Sequence, residues 1–188
     1  MKKEIEKTKK FFYKTVHNFG SDPYGLLTHV PEMEKWVKFL AEKYTKADKN
    51  ILMLSVWLHD IGHYPVTRGD HAIKSRRIAK RFLNDLKISE ELINGVLHCV
   101  RSHRVKDVKP KSLEARIIAA ADSASHITDS MYFKMAKQDL KEKTNFRAYA
   151  KIKRDARDIK AFPELHKKLD KLVKKWTELL KIYEKTEY

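Results

Sequence analysis

Apolar side chains return every three or four positions along this chain, and almost nowhere every second one. Met33, Trp36, Val37, Leu40 and Tyr44 make one such stripe; Leu92, Val96 and Val100 make another. A period near 3.6 puts these residues on one face of a helix, whereas a half-buried strand needs a period of two. Five glycines and five prolines in 188 residues leave little punctuation between the stripes. The expectation is an all-α, single-domain bundle of about seven or eight helices over residues 1–188. At this length folding hides roughly 70% of the unfolded surface, a sufficient core without staples.

The stripes predict helices at about Lys3–Asn18, Thr28–Lys46 and Lys49–His59, the last apolar on most sides and therefore central. The turn-rich FGSDPYG of residues 19–25 separates the first two. Pro31 then falls in the first turn of its helix, where backbone donors are unpaired anyway. Gly62, Pro65 and Gly69 mark a loop, after which Asp70 caps a fourth helix to about Leu86. A fifth runs from Ser89 to near His103, and residues 105–110 (VKDVKP) form a loop. A sixth starts at Ser112 and passes through Leu113, Ile117, Ala121 and Ile127. Two lysine-rich amphipathic helices, about Phe146–Arg157 and Pro163–Glu184, complete the reading, as a C-terminal part of the domain over residues 144–186.

Charge and cysteine content bound the partners. Lysine plus arginine number 41 against 25 acids, a net charge of +16, which attracts polyanions and says nothing of fold. Most of these cations alternate with apolar residues at helical spacing and are read as a solvated face. The lone Cys99 allows no internal disulfide and suits a reducing compartment. No run approaches the roughly 18 apolar residues of a membrane span. The first residues, MKKEIEKTKKFFYKTV, lack the apolar core of a secretory signal. A cytoplasmic protein with no membrane partner is expected.

Against this background WLHDIGHYPVTRGDH, residues 57–71, concentrates three of the nine histidines and two aspartates directly after an apolar run. Such groups are costly to bury unless something pairs with them. A lone His-Asp dipeptide is uninformative, because nine histidines and twelve aspartates supply one by chance in about every other chain. The informative residues are polar ones on core-facing stripes. His29 precedes Met33 by four positions and Trp36 by seven. Asp122 follows Ile118 by four in RIIAAADSASHI. His59 and Asp60 end a buried helix about 100° apart and can turn toward one point. Two imidazoles and two carboxylates make a mixed nitrogen and oxygen set for a divalent transition metal. Helical phase sorts the others: His71 shares a face with Ser75, Ile78 and Phe82, and His103 with Val96 and Val100. His98 points elsewhere, and with His17 and His166 is read as surface or packing, as Trp36 and Trp57 are read as core.

His29, LHDIG at 58–62, HAIKS at 71–75, His103 at the end of VLHCVRSH, and AD at 121–122 resemble the HD superfamily of metal-dependent phosphohydrolases. The ordered pattern H…HD…H…H…D, the version with two extra histidines, spans about 95 residues. The resemblance implies a helical bundle around the site, with a metal-site core over about residues 26–130. It implies a divalent metal held by His29, His59, Asp60 and Asp122. His71 and His103 would contact substrate phosphate or help bind a second metal. Some nucleotidase-like members carry a glutamate three residues after the HD aspartate; here that position is His63, read as acid, base or phosphate contact. His126, one turn after Asp122, is a candidate to support the ligands or touch phosphate. Arg68, Lys74, Arg101 and Arg104 flank the expected mouth and are candidate phosphate contacts.

The expected activity is hydrolysis of a phosphate ester or anhydride by metal-bound water, with Asp60 and His63 catalytic. Manganese is the first choice of ion, ahead of iron, cobalt, nickel, magnesium or zinc. The expected substrate is a small phosphorylated molecule, above all a nucleotide or deoxynucleotide. Two alternatives stand beside this: a di-iron oxygenase of HD type, and a basic nucleic-acid-binding protein using the lysine-rich last third. Nothing in the sequence sets an oligomeric state.

Overall fold

The computed structural model describes residues 1–65, 68–142 and 147–185. Among them are nine α-helices and no strand: α1 (Lys2–Asn18), α2 (Leu26–Lys43), α3 (Lys49–Leu58), α4 (His71–Asp85), α5 (Glu90–Ser102), α6 (Leu113–Thr128), α7 (Met131–Glu142), α8 (Arg147–Asp158) and α9 (Pro163–Lys185). The all-α expectation holds, with one helix more than expected. No described helix is long and apolar enough to cross a membrane. The chain forms two compact units, Met1–Ala119 and Ala120–Tyr188. The division falls inside α6, where no linker composition marks it.

In the first unit α3 packs against α1, α2, α4 and α5, as its nearly all-round apolar sequence requires. Leu54 and Leu58 of α3 meet Ala79 and Leu83 of α4 and Ile93, Val96, Leu97 and Val100 of α5 in one buried cluster. Trp57 is 1% exposed, with the ring of Phe12 edge-on at 5.3 Å. Both tryptophans expected in the core, Trp36 and Trp57, are buried.

Capping fixes where the site-bearing helices begin. Asp48 starts α3 and Asp70 starts α4, each accepting two backbone N–H groups. Asp22 does the same for α2, accepting from Leu26 N and Leu27 N at 2.8 Å each. That cap draws α2 two residues upstream of the expected Thr28. Pro31 consequently lies in the second turn rather than the first, and the Leu27 carbonyl loses its regular helical donor.

In the second unit α7 is the helix the periodicity did not show. Its buried face reads Tyr132, Ala136, Asp139, so the stripe turns polar after two residues. Asp139 is tolerated there because Arg147 Nε and Ala148 N of α8 donate to it at 2.6 and 3.0 Å. The start of α7 is capped by Asp129, which accepts from Met131 N at 2.6 Å. Trp176 of α9 donates Nε1–H to the Ile127 carbonyl at 2.9 Å and packs edge-on against Tyr132. Phe146, the expected start of the eighth helix, lies outside the described residues, as do both ends of the expected C-terminal part at 144 and 186.

Candidate metal centre

His59 and His103 occupy the same kind of place. Each is the residue at which a buried helix ends, α3 and α5 respectively, where carbonyls lack intrahelical donors. Each turns its ring back on its own helix: His59 Nδ1 lies 2.8 Å from the Val56 carbonyl, and His103 Nδ1 lies 2.8 Å from the Val100 carbonyl. A carbonyl only accepts, so Nδ1 carries the proton in both rings and Nε2 is left with a lone pair. Metal-binding histidines are oriented by this kind of carbonyl contact.

Those two Nε2 atoms converge on Asp60. His59 Nε2 is 3.5 Å from Asp60 Oδ2, and His103 Nε2 is 3.4 Å from Oδ1. From α2, His29 Nε2 comes to 3.3 Å from His59 Nε2. From α4, His71 Nε2 comes to 3.3 Å from Asp60 Oδ1 and 3.4 Å from His103 Nε2. The carboxylate thus faces two groups, His29 and His59 on one side, His71 and His103 on the other. Within each group the donor atoms all lie within 4.8 Å of one another.

The backbone brings Asp60 and His71 together through Gly62. Its N–H donates to Ser75 Oγ at 2.8 Å, clamping the 3-10 turn Ile61–His63 onto the first turns of α4. A Cβ at Gly62 would stand 2.3 Å from Ser75 N and 2.4 Å from the His71 carbonyl oxygen. Glycine is required here by close approach, not by backbone angle.

The donor set passes a direct test for a cation. Asp60 Oδ1 is buried and accepts no hydrogen bond among the described residues, an expensive state for a carboxylate. Neighbouring donors 3.3–3.5 Å apart are near the edge of a coordination shell with bonds of about 2.1 Å, roughly 3.0–3.4 Å for octahedral or tetrahedral geometry. Burial pushes His71 down to about 4 despite Asp60, and lowers His63 for the same reason. Both rings are neutral at pH 7.

His63 sits at the edge of this cluster, its Nε2 3.8 Å from Asp60 Oδ2. Its ring stacks on His71 with centroids 4.1 Å apart, and Tyr24 lies 4.1 Å from its other side. Tyr24 belongs to the FGSDPYG turn and was not singled out by the sequence; no periodicity assigns a role to a loop residue.

Residues 26–126, just over half of the chain, match the family described as the HD domain. The chain belongs to the HD-domain family. The matched span begins with α2 and contains every residue of the H…HD…H…H…D pattern. HD domains bind divalent metals and are generally metal-dependent hydrolases, and the groups around Asp60 are of a kind that holds such an ion. No match was found among curated proteins or among solved structures.

Asp122 and His126 lie in the second unit, His126 Nε2 3.5 Å from Asp122 Oδ1. Arg104 donates to Asp70 Oδ2 at 2.5 Å, so it braces the cap of α4. Arg101 is held by both oxygens of Asp107. Arg68 is exposed and Lys74 half-buried. His98 accepts the Lys111 backbone N–H at 3.0 Å, the structural part expected of it. Cys99 is buried and its thiol is pushed up to about 12, so it is inert.

Proposed function

We propose that this HD domain is a divalent-metal-dependent phosphohydrolase that cleaves a phosphate ester or anhydride of a nucleotide or deoxynucleotide. One observation carries the reading: four imidazole Nε2 atoms from four helices gather around one buried carboxylate whose Oδ1 has no hydrogen-bond donor. In this reading His29, His59 and Asp60 hold one ion, with Asp122 as the further ligand carried over from the family pattern. When bound, the ion supplies Lewis-acid charge and a water of lowered pKa. His71 and His103, across Oδ1, bind the substrate phosphate or a second ion. His63 is neutral and offers its ring as the base that takes a proton from the attacking water. His71 stacks on that ring and Tyr24 lies against it at a tilt of 36°.

Phosphate release from a panel of nucleotides and simple phosphate esters, with Mn²⁺-loaded protein, tests this. Release that disappears in Asp60→Ala is the expected result. No release, combined with two irons per chain and oxygen uptake, would replace it with the di-iron oxygenase.

A second reading, nucleic-acid binding, is favoured by one feature away from the lysine-rich last third. A groove of about 690 Å³ beside α4 is lined by Arg76, Arg77, Lys80 and Arg81, with Arg101 of α5, and by no carboxylate. The first four make no ion pair among the described residues. Binding to a labelled oligonucleotide that weakens steeply with salt, persists in Asp60→Ala and falls in Arg77→Glu/Arg81→Glu would support it.

A further inference from the structure

The second unit buries an ionic cluster that the family pattern does not use. Asp155 of α8 is 2% exposed. It accepts from Tyr132 Oη at 2.6 Å, from Ser123 Oγ at 3.5 Å, and from Lys151 Nζ at 2.5 and 2.8 Å. Burial disfavours its charge, but Lys151 outweighs this and lowers its pKa. Burial and Asp155 together push the Tyr132 hydroxyl upward, which keeps it a donor.

The third proton of Lys151 goes to His126, whose Nδ1 lies 2.8 Å from Nζ. An ammonium has three donors and no lone pair, so Nδ1 has to be the acceptor. A proton on Nδ1 aimed at Asp155 Oδ2, 3.4 Å away, would collide with the nearer ammonium. The proton of His126 therefore sits on Nε2, the atom 3.5 Å from Asp122 Oδ1. This is the opposite of His59 and His103, whose Nδ1–H groups point at carbonyls and leave Nε2 unprotonated.

We propose that Lys151, anchored by Asp155, is a positioning residue that fixes His126 as the Nε2–H tautomer, so that His126 donates to the Asp122 carboxylate instead of ligating metal. The proposal rests on the reading of Asp122 as a ligand. It separates histidines that residue type alone cannot: those whose Nδ1 is a donor offer a lone pair at the far nitrogen, and the one whose Nδ1 is an acceptor offers a proton. Outer partners of this kind typically change metal affinity by roughly 10–100-fold when removed.

The test is a long-range proton–nitrogen correlation spectrum of ¹⁵N-histidine-labelled protein at neutral pH, assigned with His126→Gln. His126 is expected to carry its proton on Nε2, and His59 on Nδ1. Lys151→Met should move the His126 proton to Nδ1, facing Asp155, and weaken Mn²⁺ binding about 10–100-fold. Lys151→Arg, also a pure donor, should restore the tautomer. A proton on Nδ1 of His126 in the unaltered protein overturns the proposal. So does a Lys151→Met variant with unchanged tautomer and unchanged Mn²⁺ affinity but lower stability, since that is purely structural behaviour. The spectrum needs no bound ion and no variant other than the assignment one, so it decides the tautomer even if Lys151→Met does not fold. Protein with the expected tautomer that binds no Mn²⁺ would sink the phosphohydrolase reading and not the tautomer.

Discussion

A histidine in this protein is read by what its Nδ1 touches. The Val56 and Val100 carbonyls turn His59 and His103 into lone-pair donors at Nε2. His98, on the same helix as the approach to His103, spends its own lone pair on the Lys111 backbone. The expected outcome is a sharp contrast between neighbours. His59→Gln should weaken Mn²⁺ binding by more than about 100-fold, beyond the loss typical of an outer partner. His98→Gln should leave it within error, both measured by isothermal titration. Equal losses in the two would remove the assignment of His59.

Among the secondary-structure elements, the two junctions that matter are the clamp of the 3-10 turn on α4 and the start of α2. Gly62→Ala places a methyl group 2.3 Å from a backbone nitrogen and 2.4 Å from a backbone oxygen, which cannot move aside cheaply. It should cost about 3 kcal/mol or more in urea unfolding. Gly95→Ala meets only the side chain of Ile51, its mobile Cδ1 at 2.6 Å and its Cγ1 at 3.2 Å. There the gain in helix propensity of about 1 kcal/mol offsets much of the strain. The two variants should therefore separate widely.

At α2, Asp22 is held below its ordinary pKa: burial raises it, but the Tyr64 hydroxyl at 2.6 Å and the Leu27 and Leu26 N–H groups prevail. A depressed carboxylate stabilises the fold above its unfolded pKa of about 3.9 and loses that contribution as pH falls through the lower folded value. The stability difference between the unaltered protein and Asp22→Asn should be full at neutral pH and shrink below about pH 4. A difference constant with pH in thermal melts would show that the charge contributes nothing.

On the scale of the whole molecule, the histidines gathered at Asp60 come from α2, the end of α3, α4 and the end of α5, with segments far apart in sequence drawn to one carboxylate. An ion bound there joins elements that otherwise share only side-chain packing. At a free concentration 100 times its dissociation constant it should add about 2.7 kcal/mol. For a chain of this size that is roughly 5–10 °C in Tm. Chelator-treated protein should melt lower by that amount and recover when Mn²⁺ is returned; an unmoved Tm would argue against an ion linking these helices.

The sequence by itself determined the all-α class, the central place of α3, the capping of α4 by Asp70 and the inward turn of His29, His59, His71 and His103. All of these follow from local rules: which side chains share a helical face, and which residue types satisfy a helix end. It also carried the ordered signature that marks the HD family. Tertiary structure alone decided what one-dimensional periodicity does not encode. The seventh helix was hidden because Asp139 interrupts its apolar face and is satisfied from another element. That Arg104 pairs with Asp70 across 34 residues is likewise invisible to helical phase. Tyr24 over His63, and Lys151 with Asp155 behind His126, depend on loops and helices distant in the chain meeting in space. Helical phase says which way a side chain faces; only the packed fold says what it meets, and that partner decides which nitrogen holds the proton.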